Sequence, residues 1–293
     1  LVADLSWWSG DFVLDNDPAM ATTLPGGTIY TGIEGFDLTL GAGNHVLRNT
    51  RTGGNDHWIT GDGNDVIDSG DGNDVVDAGD GNDVIDTGNG SDTVNAGAGD
   101  DVIFQKDAGS DVVDGGDGND RLVLDYSGET SPYNPYSPYY NRGIWSNYYD
   151  AEGHFLNRSG VSWEVAPPAN TALWGFNSTS YRVTYTGIEH LDVTGTQFAD
   201  FLWGGAGADV LRGGGGDDVL VGGDGDDLLE GGADNDTLDG GAGSDVLTGG
   251  TGDDLIKIGD SHDRNQVDGG DGTDTLVADL SWWSGDFVLD NDP

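Results

Sequence analysis

Apolar residues recur at intervals of nine along two stretches of the chain. In the first they are Ile67, Val76, Ile85, Val94 and Ile103; in the second they are Leu211, Leu220, Leu229, Leu238 and Leu247. Each stands two places after an aspartate, with glycines two and four places before that aspartate in most turns. A period of nine matches neither the 3.6-residue repeat of a helix nor the sustained alternation of a long strand. It predicts a unit of six turn-forming residues followed by three strand-forming ones, whose middle side chain points inward and whose neighbours point outward. Val66, Val75, Val84, Val210 and Val219 are then outward, as are Asp68, Asp77 and Asp86.

The aspartates themselves keep the step of nine at Asp56, Asp65, Asp74, Asp83, Asp92 and Asp101, and Asp111 to Asp120 resumes it after one extra residue. The second series runs through Asp200, Asp209, Asp218, Asp227, Asp236, Asp245 and Asp254; Asp263 keeps the step, and Asp274 follows after a slip of two. Glycine reaches backbone conformations closed to other residues, so a G-x-G-x-D turn curls its carbonyls inward while the carboxylate points to the same centre. Carbonyls and carboxylates are hard oxygen donors, the set that calcium takes. Stacked turns on one edge are 18 residues apart in sequence and roughly 4.8 Å apart in space, so one ion bridges two of them.

Charge explains why the repeat needs the metal. Of the 293 residues, 54 are Asp or Glu and only 10 are Lys or Arg, a formal charge of -44. Such a chain repels nucleic acid, and none is expected as a partner. High charge alone would favour disorder, but nine Trp, ten Tyr and 35% hydrophobic residues argue for a packed core. With no cysteine, bound cations take the place of disulfides as staples. No apolar run approaches the roughly 18 residues of a membrane span. The start at Leu1, without a leader-like segment, reads as a cut inside a larger protein.

The runs GGAGADVLR, GGGGDDVLV, GGDGDDLLE and GGAGSDVLT resemble the RTX (hemolysin-type) nonapeptide G-G-x-G-x-D-x-U-x, a calcium-binding parallel β-helix repeat. The resemblance covers about residues 51 to 123 and 195 to 275. It implies carboxylate ligands at Asp56, Asp65, Asp74, Asp83, Asp92, Asp101 and Asp120, and at Asp209, Asp218, Asp227, Asp236, Asp245, Asp254 and Asp274. By matching position it implies carbonyl ligands at Gly61, Gly63, Gly70, Gly72, Gly79, Gly81, Gly88, Gly90, Gly97 and Gly99. In the second series these are Gly205, Gly207, Gly214, Gly216, Gly223, Gly225, Gly241, Gly243, Gly250 and Gly252. Departures occur where Asp234 and Phe198 replace the fourth-position glycine and where SHDRNQ, 261 to 266, breaks the frame, which weakens sites near Asp111, Asp200 and Asp263. The resemblance further implies secretion as an unfolded chain through a one-step channel, and folding on extracellular calcium, with on the order of a dozen Ca2+ ions bound.

A larger repeat encloses the smaller one. LVADLSWWSGDFVLDNDP occurs at 1 to 18 and, letter for letter, at 276 to 293. The chain therefore reads as one 275-residue period of a tandem array plus the start of the next, with adjacent copies of the same repeat as its partners. Within the period, TGIEGFDLT (31 to 39) parallels TGIEHLDVT (186 to 194), and DGGDGNDRLVLDYSG (114 to 128) parallels DGGDGTDTLVADLSWWSG (268 to 285). The expected fold is all-β: a β-rich cap at 1–50, a first β-roll at 51–123, a Tyr- and Pro-rich β insert at 124–194, a second β-roll at 195–275 and the next copy at 276–293. VSWEV (161 to 165) and YRVTY (181 to 185) are the strand candidates of the insert. Its tyrosines, and Trp7, Trp8, Trp282 and Trp283, either cover the open apolar end of a roll or present aromatic rings to glycans or a neighbouring molecule.

No nucleophile, zinc, P-loop or dinucleotide motif is present, and His45, His57, His154, His190 and His262 are scattered as structural or surface residues. No enzyme activity is expected. The leading reading is a calcium-rigidified structural repeat of a very large exported cell-surface protein: a stalk, filament or coat, with lateral self-association as a further partner. An adhesin module that recognises surface glycans through the aromatic insert is the alternative, and a carrier region of a secreted hydrolase is a weaker one.

Overall fold

The computed structural model describes residues 1–15, 22–23, 29–30, 33–49, 54–105, 110–127, 171–173, 182–259 and 264–278. Every regular element among them is a β-strand, most of three to six residues. The strands form where the nonapeptide places β-branched or aliphatic residues, which favour an extended and half-buried backbone. They stop where it places the turn residues.

Successive units fall alternately on two faces, so a full coil is two nonapeptides. Strand Val84–Asp86 lies between Val66–Asp68 and Val102–Gln105, with Val84 opposite both Val66 and Val102. Strand Thr93–Ala98 lies on the other face between Val75–Asp80 and Ser110–Asp117. All these pairings are parallel, and the result is a parallel β-solenoid of the kind the nine-residue period predicts. The middle strand residues fill its interior: Ile67, Ile85, Ile103 and Leu122 on one face and Trp58, Val76, Val94 and Val113 on the other are almost fully buried. Each such side chain contributes roughly 1.5–3 kcal/mol of apolar burial. Val75 and Val84 are exposed, as their outward positions require.

Irregular spacing is absorbed in the turns, leaving the ladder aligned. Thr93 faces Val112, Leu255 faces Thr275, and the sequence after Asp125 returns so that Leu122 faces Leu191 and Leu124 faces Val193. The two glycine-rich series are thereby joined: one eleven-stranded parallel sheet runs from Val13–Asp15 to Gln266–Asp271. Both TGIE segments become coils of this stack through strands Asp37–Leu40 and His190–Thr194. The opposite face is divided. An eight-stranded sheet ends beyond Arg182–Thr186, where Thr171–Leu173 adds antiparallel, and a separate five-stranded sheet starts at Phe201–Ala206.

The division has a local cause. Leu191 and Val193 face Leu122 and Leu124 on one side, but on the other side Val193, not Leu191, faces Leu211. The following turn, GTQFAD, has Thr196 where the repeat has its second-position glycine and Phe198 where it has the fourth. Strand Arg182–Thr186 is the expected YRVTY element. VSWEV, the tyrosine-rich run at 131 to 150, Trp282 and Trp283 lie outside the described residues.

Candidate metal centre: two edges of buried carboxylates

Each repeat aspartate stands where a turn passes into a strand, and the stacking places these residues in rows along the two edges of the solenoid. Asp65 N–H donates to Asp83 Oδ1 at 2.7 Å, and Asp83 N–H donates to Asp101 Oδ1 at 2.7 Å. On the other edge Asp56 N–H donates to Asp74 and Asp74 N–H to Asp92, both at 2.8 Å. The second series repeats the arrangement from Asp200 to Asp218, Asp236 and Asp254 and from Asp209 to Asp227 and Asp245. One carboxylate oxygen thus ties its own coil to the coil before it.

The second oxygen is the unusual one. Oδ2 of Asp65, Asp74, Asp83, Asp92, Asp101, Asp120, Asp209, Asp218, Asp227, Asp236 and Asp254 is buried without a hydrogen-bond partner. A buried anionic oxygen with no partner is strongly unfavourable, and rows of them on adjacent coils add mutual repulsion. Burial is the main force that pushes Asp83 up to about 7, with the charges of Asp65 and Asp101 adding to it. The same causes carry Asp227 and Asp236 to about 7 and Asp218 to about 9. At neutral pH these rows call for cations.

The turns beside the aspartates have a backbone that glycine alone adopts readily. Gly79 has φ 106°, and a Cβ there would collide with the carbonyl oxygen of Gly61 one coil earlier. The other second- and fourth-position glycines assigned as carbonyl ligands also have positive φ, so their carbonyls turn in a way an ordinary residue resists. Asp234, which replaces a fourth-position glycine, adopts φ 73° and is the only described non-glycine residue with positive φ. Aspartate tolerates that region better than most residues, and Asp234 Oδ2 accepts Gly216 N–H at 3.3 Å.

Several aspartates depart from the pattern. Asp56 is buried, but its oxygens accept from Phe36 N–H and Asn49 Nδ2, each at 2.7 Å. Asp200 Oδ2 accepts Thr196 N–H at 2.6 Å, so the residue at the weakened site satisfies its own turn. Asp111 Oδ1 accepts Asp92 N–H at 2.9 Å, and burial holds Asp111 at about 6. Asp274 receives Asp254 N–H at 3.0 Å at a half-buried position. Asp245 N–H donates to Asn265 Oδ1 at 2.8 Å, so Asn265 occupies the slot next in that row; Asp263 lies outside the described residues.

Two groups of residues were not anticipated. Glu189 Oε2 accepts Asp120 N–H at 2.9 Å, doing at the joint between the two series what a repeat aspartate does elsewhere. Its signal is the TGIE motif, which the sequence presents only as an internal parallel between 31 to 39 and 186 to 194. At the fifth position, Asn82 Oδ1 accepts Asp100 N–H at 3.1 Å while Asn82 N–H donates to Asn64 Oδ1 at 3.0 Å. Asn73, Asp217, Asn235 and Asp253 act alike on later coils. Three histidines make structural contacts: His45 is buried between Phe12 N–H and Gly41 O, His57 meets Asp37, and His190 bridges Asn119 and Ala208; His154 and His262 lie outside the described residues.

Among the described residues no group of three or more His, Cys, Asp or Glu side chains converges on one point. A cation held at these edges would need main-chain carbonyls for much of its shell, a donor set that would suit calcium. No described helix could cross a membrane. Fold and edges together define a parallel β-solenoid built around hard cations. The model of the RTX calcium-binding nonapeptide repeat, a family model of four copies, matches residues 51–85, 71–103, 107–125, 194–229 and 221–256, so these stretches of the chain carry RTX hemolysin-type repeats. No curated protein matches it.

Proposed function

We propose that the chain is a calcium-rigidified structural repeat of a very large exported surface protein, serving as a stalk, filament or coat. The observation that carries this reading is the runs of buried, unpartnered Oδ2 atoms on successive coils, at Asp65, Asp83, Asp101 and Asp120 and at Asp74 and Asp92 in the first series, and at Asp218, Asp236 and Asp254 and at Asp209 and Asp227 in the second, which make an extended rod contingent on bound cations. The unit that holds one ion pairs aspartates on neighbouring coils, such as Asp65 and Asp83, with carbonyls of Gly61, Gly63, Gly79 and Gly81. On the order of a dozen ions offset a large part of the charge of the chain. Secretion follows the same logic, since a chain that cannot fold without the metal stays extended where calcium is scarce and becomes rigid where it is plentiful. The 18-residue sequence that recurs at an offset of 275 fits a device whose product is length.

Electron microscopy of a chain of several units in millimolar calcium tests this. Straight rods that collapse on adding a chelator support it, and compact particles in calcium or rods that persist in chelator contradict it.

A further inference from the structure

The duplicated sequence at the two ends is captured in two different pairings. At the start of the chain, Val2–Leu5 is the first strand of its sheet and pairs with the strand that follows it, Val2 opposite Asp37 and Leu5 opposite Leu40. At the other end, Leu276, Val277 and Ala278 are copies of Leu1, Val2 and Ala3. They belong to the last strand of the five-stranded sheet and pair with the strand that precedes them, opposite Ile256, Lys257 and Ile258.

The two uses are compatible in one strand. The terminal ammonium of Leu1, which stands where a peptide N–H would in a tandem array, donates to Gly35 O at 2.6 Å, and Leu1 O accepts Asp37 N–H at 2.7 Å, so both main-chain groups face the next coil. Thr275, the residue before its copy, donates instead to Asp254 O in the preceding coil at 2.8 Å. Alternate residues of a parallel strand bond to opposite neighbours, and these two sets do not compete. The side-chain parity agrees as well. Leu1 and Ala3 pack against the core while Val2 is exposed; likewise Leu276 continues the buried row of Leu238 and Ile256, and Val277 continues that of Lys257. At this end the row is uncovered: Leu276 is 50% exposed against 1% for Ile256.

We propose that consecutive 275-residue units form one uninterrupted solenoid in which the LVADL strand is shared, paired on one edge with Leu255–Ile258 of the preceding unit and on the other with Asp37–Leu40 of its own. The occupant of the uncovered end is thus a second copy of this chain, and no linker or hinge separates the units. The eleven-stranded face continues in parallel, strand Val13–Asp15 of the next copy following Gln266–Asp271. The proposal rests on the tandem-repeat reading, but not on the metal.

Residues 1–275, which lack the second copy of the strand, leave the Leu255–Ile258 edge open to Val2–Leu5 of another molecule. In calcium, sedimentation velocity should show end-to-end oligomers of 1–275, blocked by an excess of the peptide LVADLSWWSGDFVLDNDP, while 1–293 stays monomeric. A calcium-folded 1–275 that remains monomeric at high concentration overturns the proposal. Should 1–275 fail to fold, hydrogen exchange on two fused units decides: the central LVADL strand should exchange at least about tenfold more slowly than either terminal copy, and equal rates overturn it. Circular dichroism of 1–293 with and without calcium separates failure of the seam from failure of the calcium reading.

Discussion

The amide of Asp65 donates to Oδ1 of Asp83 across one coil at 2.7 Å, and the other oxygen of the same carboxylate is buried without a partner. One side chain thus performs two tasks, tying coils together and leaving an anionic oxygen for a cation. The tasks separate on substitution because an amide keeps the acceptor and loses the charge.

Asp83→Asn should therefore have effects of opposite sign. In chelator it relieves a buried charge and raises stability; in calcium it removes a ligand and lowers stability by about 3 kcal/mol, the scale for leaving buried charges uncompensated. Asp77→Asn changes an outward carboxylate whose recorded contact is Asn95 Nδ2 at 3.1 Å, and should shift neither by more than about 0.5 kcal/mol. Thermal unfolding at saturating calcium measures the loss, and the pH at which β-structure disappears in chelator, which should move upward for Asp83→Asn alone, measures the gain.

The pH dependence should invert with calcium. Burial raises the folded-state values of Asp83, Asp92, Asp227 and Asp236 to about 7 and of Asp218 to about 9, above the ordinary carboxylate range near 4. The folded metal-free chain then holds more protons than the unfolded one. Its stability is full below pH 4 and falls as pH rises through 4 to 7, and up to 9 for Asp218, by about 1.4 kcal/mol per pH unit for each titrating group. Calcium requires the ionised form, so affinity rises over the same window. Circular dichroism in chelator from pH 4 to 8 reads the loss of the metal-free fold, and calcium affinity at pH 6 and 8 reads the opposite slope.

The sequence carried the coil and most of its edge, because both follow from a strict period. Ile67, Ile85 and Leu211 are buried where the nine-residue count placed them, and Asp65 through Asp101 line up as the turns demanded. What escaped detection depends on contacts across long separations. The return of the chain that sets Leu122 opposite Leu191 has no period to announce it. Asn49, seven residues earlier between the same two strands, takes the second oxygen of Asp56 with no repeat position to mark it, and Glu189 substitutes for an aspartate under a different letter. The fifth-position ladder was visible as Asn64, Asn73 and Asn82, but the residue type alone does not say which amide it receives.

Glycines should divide by position. Gly79→Ala puts a Cβ into the carbonyl of Gly61 at φ 106° and should cost at least about 1–3 kcal/mol. Gly215 has ordinary φ, and the nearest atom to a Cβ there is 3.7 Å away. Gly215→Ala should be neutral or stabilise by up to about 1 kcal/mol through the unfolded chain. Differential scanning calorimetry in calcium compares the two.

Asn82→Ala should remove the acceptor for Asp100 N–H without touching a buried carboxylate. The expected loss is about 0.5–1.5 kcal/mol, similar in calcium and in chelator at low pH. A loss found only in calcium would place Asn82 in the metal shell instead.

The most direct test is a calcium titration of the 1–293 chain at pH 7.5, followed by far-ultraviolet circular dichroism and calorimetry together. The account predicts little ordered β-structure in chelator and a cooperative gain of it between roughly 0.1 and 1 mM calcium, with uptake of on the order of a dozen ions. Full β-structure in chelator at that pH, or folding without calcium uptake, would contradict it.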